Sequence, residues 1–264
     1  THDPAQRLDR LRAKKELLPM RDDLVLEEAT LLNLLGHYRE AIGLIDGRKF
    51  HPWEGGEGKV VAQYQFGRVE LAKQLMADGN SEEARKLLME CLVYPENLGE
   101  GKLEGAQDND FHFLLGLIAA GKGDDIEARR LWTLASEGPS EPAPALYYND
   151  AKPDKIFYQG LALRALGDED HARARFHRLV DFGSKHIFDK TTLDYFAVSL
   201  PDLLVWESDL DTLNLIHCNY MLALGHYGLG NTERAERFLN EVEHLDPIHQ
   251  GAKALRSLMQ LSLI

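Results

Sequence analysis

Two stretches of the chain, EGGEGKV at 54–60 and NLGEGKL at 97–103, share the tetrapeptide Gly-Glu-Gly-Lys. Glycines ahead of a lysine suit a phosphate-cradling loop, with bare N–H groups to surround the anion and a cation to neutralise it. The remaining parts are missing. Such a loop carries another glycine five residues before the second one, and Ser or Thr after the lysine to hold magnesium. Those positions hold Trp53 and Val60 in the first copy, Glu96 and Leu103 in the second. Neither copy is expected to bind a nucleotide, and no cofactor is expected elsewhere.

The residues around the two copies offer different chemistry. RKFHPWEGGEGKV supplies Phe50, His51, Trp53, Glu54 and Glu57, and YPENLGEGKL supplies Tyr94, Glu96, Asn97 and Glu100. A third stretch, EGPSEPAPALYYNDAKPD, adds Tyr147, Tyr148, Asn149 and Asp150. Aromatic faces beside carboxylates and amides suit a sugar or a polar peptide, stacking on C–H surfaces while the acids accept protons. The same residues could instead pack: Trp53 over the end of a helix pair, the glycines merely turning the chain. Glu54 and Glu57 could act as acid and base across a glycosidic bond. In a chain with 43 acidic residues, however, an acidic pair beside an aromatic arises by chance. No residue is assigned a catalytic role.

Other reactive side chains lack the spacing their chemistry needs. His171 and His177 lie six apart and do not share a helix face, and His244 and His249 flank a proline turn around Asp246. Neither pair has the further ligands of a zinc site, so no metal is expected. There is no Gly-x-Ser-x-Gly, and Cys91 and Cys218 sit in expected helices without a nucleophile motif, as small core residues would, a disulfide between them being the lesser alternative. With 43 acidic against 30 basic residues the net charge is −13, the wrong sign for a nucleic-acid partner. No apolar run is long enough for a membrane span and no signal peptide is visible, so a cytoplasmic location is expected. The opening Thr1 suggests a piece of a longer protein.

What positions these residues is a repeat. Five segments have the form Gly, four residues, Ala: GHYREA (36–41), GNSEEA (79–84), GDDIEA (123–128), GDEDHA (167–172) and GNTERA (230–235). Four residues after each alanine stands a bulky residue, Ile45, Leu88, Trp132, Phe176 or Leu239. Twelve residues before it stands a small one, Ala29, Ala72, Gly116, Gly160 or Ala223. The pattern reads as helix–turn–helix: glycine ends one helix, the following Asp or Asn caps the next, as in GDD, GDE and GNT, and the bulky residue fills the groove left by the small ones. Pairs of this kind bury their apolar faces only by stacking on one another.

This pattern resembles the tetratricopeptide repeat, most closely in YQGLALRALGDEDHARARF and in the last segment, which closes HLDPIHQGA. The expected fold is therefore all-α: an α-solenoid of antiparallel helix pairs in one domain, 1–264, with long inter-repeat connectors and capping helices at both ends. Repeats are expected near 21–50, 62–94, 108–137, 153–182 and 210–247, with an entry helix over 4–18, an inserted helix at 186–201 and a closing helix at 248–263. The anchoring alanines are separated by 43, 44, 44 and 63 residues, against a family unit of about 34, so each connector carries extra chain. The family's binding groove would present Lys73, Phe113, Phe157, Arg164, Tyr220 and Tyr227. Only two of these are basic, which disfavours the acidic peptide tails that some members of the family clamp. A weakly charged aromatic groove instead suits an apolar peptide, a neighbouring domain or a second copy of the chain.

A closer resemblance lies in the connectors. FHPWEGGEG, PENLGEG and LDYFAVSLP (193–201) are similar to connector motifs of large bacterial proteins that carry tetratricopeptide repeats behind N-terminal β-rich domains of carbohydrate-active appearance. The resemblance implies a C-terminal helical portion linked to carbohydrate metabolism by association, and carries no catalytic residue over. Two functions follow as expectations. One is a non-catalytic scaffold that docks a protein, its own N-terminal domain or a second subunit. The other is a carbohydrate-binding surface, or part of a glycosidase-like site, on the connector edge.

Overall fold

In a computed structural model of the chain, which describes residues 3–14, 16–53, 55–144, 152–191 and 209–260, the five repeat glycines share one backbone state. Gly36, Gly79, Gly123, Gly167 and Gly230 have φ between 77° and 89°, the left-handed region that a side chain disfavours. At each junction the glycine N–H bonds the carbonyl three residues back, and the next residue's N–H bonds the carbonyl five back, at 2.7–3.2 Å. These paired bonds satisfy carbonyls that a helix end leaves open. The carbonyl of that next residue (His37, Asn80, Asp124, Asp168 or Asn231) then accepts from the repeat alanine at 2.9–3.2 Å. One residue thus closes one helix and opens its successor.

The side-chain caps are less uniform than the sequence suggested. Asp124 and Asp168 accept from the backbone N–H of Glu127 and His171 at 3.1 and 3.2 Å. Asn231, expected to cap in the same way, makes no side-chain cap bond, and Asn80 turns its amide to Glu83 instead.

The helices are α1 (Pro4–Arg12), α2 (Asp22–Leu34), α3 (Tyr38–Asp46), α4 (Lys59–Ala77), α5 (Ser81–Cys91), α6 (Asn109–Gly121), α7 (Asp125–Ser136), α8 (Pro153–Ala165), α9 (Glu169–His186), α10 (Leu210–Gly228), α11 (Thr232–Leu245) and α12 (Gln250–Gln260). Short 3-10 turns lie at Leu18–Met20 and Glu96–Leu98, and no strand occurs among the described residues. α1 begins as the Asp3-Pro4 pair suggests, with Asp3 accepting from Ala5 N–H at 3.0 Å, but it stops at Arg12 rather than 18. The helix expected at 186–201 falls mostly on 192–208, outside the described residues, and α9 itself runs on to His186. No described helix is long and apolar enough to cross a membrane.

The chain packs as two units, Thr1–Ala106 with Lys253–Ile264, and Gln107–Ala252. In the first, α2 and α3 pack together and against α4, which packs on α5. Its core holds the repeat residues Ala29, Ala41 and Ile45, and also Phe50 and Leu98 from the connectors. Lys253 Nζ bonds the Leu34 carbonyl at 2.5 Å, and Lys73 Nζ bonds the Ala254 carbonyl at 3.0 Å, fastening the end of α12 to this unit.

In the second unit, α8 contacts α6, α7, α9 and α10, and α10 packs on α9 and α11. Phe176 is its central wedge. A β-carbon added to Gly160 of α8 would lie 2.4 Å from the Phe176 ring, and one added to Gly228 of α10 would lie 2.2 Å from it. Gly116 stands in the same relation to Trp132, at 2.3 Å. In these two repeats the small residue faces the bulky one of its own repeat, as the spacing required. Cys91 and Cys218 are buried and form no disulfide, and burial pushes the Cys218 thiol up to about 11.

Candidate functional site

The connector 47–58 leads from α3 to α4, and the connector 92–108 follows α5. Within the first unit they fold onto one another. Phe50 and Leu98 are each 1% exposed, because each connector sends one apolar side chain into the core. The Phe50 N–H donates to the Asn97 carbonyl at 2.7 Å. Asn97 Nδ2 donates to the carbonyls of Ile45 and Arg48 at 2.9 and 3.0 Å, closing the end of α3. Gly99 is fitted against this backbone: its φ is 76°, and a β-carbon there would come within 2.7 Å of the Phe50 carbonyl oxygen.

The two Gly-Glu-Gly-Lys copies meet at this junction. Gly58, with φ 73°, stands at the N-cap of α4, and its N–H donates to Glu100 Oε2 at 2.7 Å. The carboxylate of the second copy thus lies at the helix N-terminus that a phosphate would use. Glu100 is half-buried. That burial raises its pKa above the ordinary carboxylate value, the Gly58 N–H pulls it back, and the nearby charge of Glu57 raises it further.

Around this carboxylate lies a pocket of about 310 Å³, walled by His51, Trp53, Glu57, Val60, Leu98 and Glu100, among others. The Trp53 indole lies over Gly56, where a β-carbon would come within 2.0 Å of the ring, and it also packs against the core. His51 sits at the rim. Its backbone N–H donates to Asp22 Oδ2 at 2.8 Å and its Nδ1 lies 3.0 Å from the same oxygen. Burial works against the Asp22 charge, yet the His51 contacts and the Arg48 guanidinium together hold its carboxyl below the usual value.

Four connector residues singled out in the sequence, His51, Trp53, Glu57 and Glu100, therefore share one pocket. Asn97 does not join them, being spent on the α3 carbonyls, and Glu96 points away to Lys49 at 3.1 Å with 92% of its side chain exposed. Glu54 lies outside the described residues, as do Tyr147, Tyr148, Asn149 and Asp150. Among the described residues the carboxylates that wall this pocket are Glu57 and Glu100, one from each connector. Only the 43-residue interval between the two copies hinted that they could meet.

The residues expected on an open groove are placed differently. Lys73 is fully buried, paired with Glu70 at 2.5 Å and capped by the Ala254 carbonyl. Phe113, Phe157 and Tyr220 are 2%, 1% and 6% exposed, so they are core side chains and not an open surface. Phe113 packs on Tyr158, Phe157 on Phe176, and Tyr220 on His249. Half-buried Tyr227 lies 6.2 Å from Phe157, and exposed Arg164 forms a two-pronged pair with Glu169 at 2.9 and 3.0 Å.

Histidines serve structural ends. His171 Nδ1 pairs with Asp168 at 2.8 Å, and His249 Nδ1 accepts from Ala252 N–H at 2.9 Å, capping α12. Burial lowers the pKa of His249, the direction that suits an acceptor nitrogen. Among the described residues no three His, Cys, Asp or Glu side chains gather as a metal site. No family model matches the chain, and no solved structure matches it.

Proposed function

We propose that the chain is a tetratricopeptide-like α-solenoid whose task is to hold a segment of another protein or domain. The observation that carries this reading is the seat of Lys73. The repeat register assigns it to the groove lined by first helices, and its ammonium bonds a carbonyl of α12, 181 residues further along the chain. A scaffold that receives one helix in this way has the means to receive others. The connector resemblance supplies the expected partner, a β-rich carbohydrate-associated domain of the same polypeptide or a second copy of the chain. Light scattering on this chain mixed with such a domain tests the proposal. A complex of the summed mass is expected, and two species that stay separate at high micromolar concentration contradict it.

A second reading is favoured by the connector pocket: this edge is a ligand-binding site in its own right. Indole, carboxylates and an apolar floor within one concavity are the ingredients of a small-ligand site. Carbohydrate is the class that the connector resemblance suggests. In a glycosidase-like version, half-buried Glu100 would be the acid and Glu57 its partner. Calorimetry against a panel of sugars, repeated on Trp53→Ala, tests this; silence across the panel removes carbohydrate from the account.

A further inference from the structure

Among the described residues the pocket between the connectors is walled by two acids, with His51 at its rim as the other titratable side chain. Among the described residues its wall contains Glu57 and Glu100 and neither a lysine nor an arginine. This is unlike the other partly buried acids of the unit. Glu28 pairs with Arg12, Asp22 with Arg48, Glu90 with Arg68, and Glu70 with Lys73. Glu100 is half-buried with a single backbone N–H on one oxygen, and Glu57 is close enough for the two charges to oppose one another.

The remaining wall is suited to a cation that also carries carbon. Trp53 presents an indole, whose electron-rich face attracts ammonium groups. Val60 and Leu98, both 1% exposed, form an apolar floor that would accept methylene or methyl groups. A neutral polyol would find hydrogen-bond acceptors here, but it would leave the like charges facing one another. A cation between them relieves that repulsion, and in a half-buried site the relief is larger than in open water. The volume, about 310 Å³, is at the small end for ligand pockets and admits a charged head with a short stem.

We propose that this pocket binds an organic ammonium ion, its head between Glu57 and Glu100 beside Trp53 and its alkyl stem over Val60 and Leu98. This rests on the reading of the connector edge as a ligand site and names the ligand class. The same chemistry is offered by a small free amine and by a lysine side chain of a protein partner.

Calorimetry on the whole chain at low ionic strength tests it with four probes: butylammonium, butyltrimethylammonium, a capped Gly-Lys-Gly peptide and the neutral sugar glucose. The cations are expected to bind, and Glu100→Gln to weaken them by at least about tenfold. Glu57 is exposed, so Glu57→Gln keeps the fold intact and is expected to weaken them likewise. Tighter binding of the peptide assigns the site to a protein lysine, and tighter binding of the free amines to a small molecule. Heat from glucose with none from any cation overturns the ammonium proposal and leaves the ligand-site reading standing. Silence from all four probes overturns both, and cation binding unchanged in both glutamine variants overturns the assignment of the site.

Discussion

The backbone N–H of Gly58 donates to Glu100 Oε2 at 2.7 Å, so a carboxylate in the second copy of a repeated tetrapeptide closes on the backbone of the first. Identical sequence does not give identical structure here. The left-handed residue is the second glycine in one copy, Gly58, and the first glycine in the other, Gly99. The first copy opens α4, whereas the second stops short of α6, which begins at Asn109. The copies occupy complementary places, one offering a helix N-terminus and the other a carboxylate.

That asymmetry separates two substitutions of the same kind. Gly99→Ala demands a left-handed alanine and sets its methyl against the Phe50 carbonyl, so a loss of about 1–3 kcal/mol is expected. Gly101→Ala has open space and an ordinary φ, and its effect should stay within about 0.5 kcal/mol. Urea unfolding of both variants, compared with the parent, checks the contrast.

A second pair tests the wedge between repeats. Gly160→Ala gains about 1 kcal/mol of helix propensity but meets a fully buried Phe176 ring held from the other side by Gly228. Because the ring cannot retreat, overpacking of about 1–3 kcal/mol should win and the variant should melt lower. Gly43→Ala, in α3 with nothing within 4 Å, should gain the propensity alone and melt higher. Thermal melts by circular dichroism give both signs.

The buried pair of α4 should behave as a unit. Glu70 and Lys73 are 1% and 0% exposed, and Glu70 Oε2 has no hydrogen bond among the described residues. Lys73→Met alone strands a buried carboxylate and should lose about 3–5 kcal/mol. Replacing both, with Glu70→Leu, should recover most of that loss. A double-mutant cycle by denaturant unfolding measures the coupling; simple additivity would mean the two side chains do not depend on each other.

The helical hairpins were legible because they are made by local rules. A left-handed glycine, a capping residue after it and a small–large pair at fixed spacing all lie within about one repeat, and Gly160 with Phe176 shows the result. The burial of Lys73 was not legible, because the carbonyl that meets its ammonium arrives from α12, and sequence spacing carries no trace of such a return. The pocket was half legible. The residue types in the connectors flagged His51, Trp53, Glu57 and Glu100 together, but Asn97 looked the same in sequence and turned inward to cap α3. Which acids would face one another depended on the two connectors meeting, and that is a tertiary fact.

The claim on which the pocket stands is that Glu100 is a half-buried carboxylate whose Gly58 N–H does not offset its burial and the charge of Glu57, at a cost to the fold. Its folded pKa is raised, by burial first and by Glu57 as well, so the native state binds the proton more tightly than the unfolded chain does. Stability from this group is then fully present below the unfolded value of about 4.3 and is lost as pH rises through the folded value. The most direct measurement is the melting temperature of the parent and of Glu100→Gln between pH 4 and pH 8. The variant is predicted to melt higher than the parent at pH 7, with the gap closing toward pH 4. A variant that melts lower than the parent at pH 7 would contradict the account, because Glu100 would then be a stabilising partner of Gly58 and not a charge awaiting a ligand.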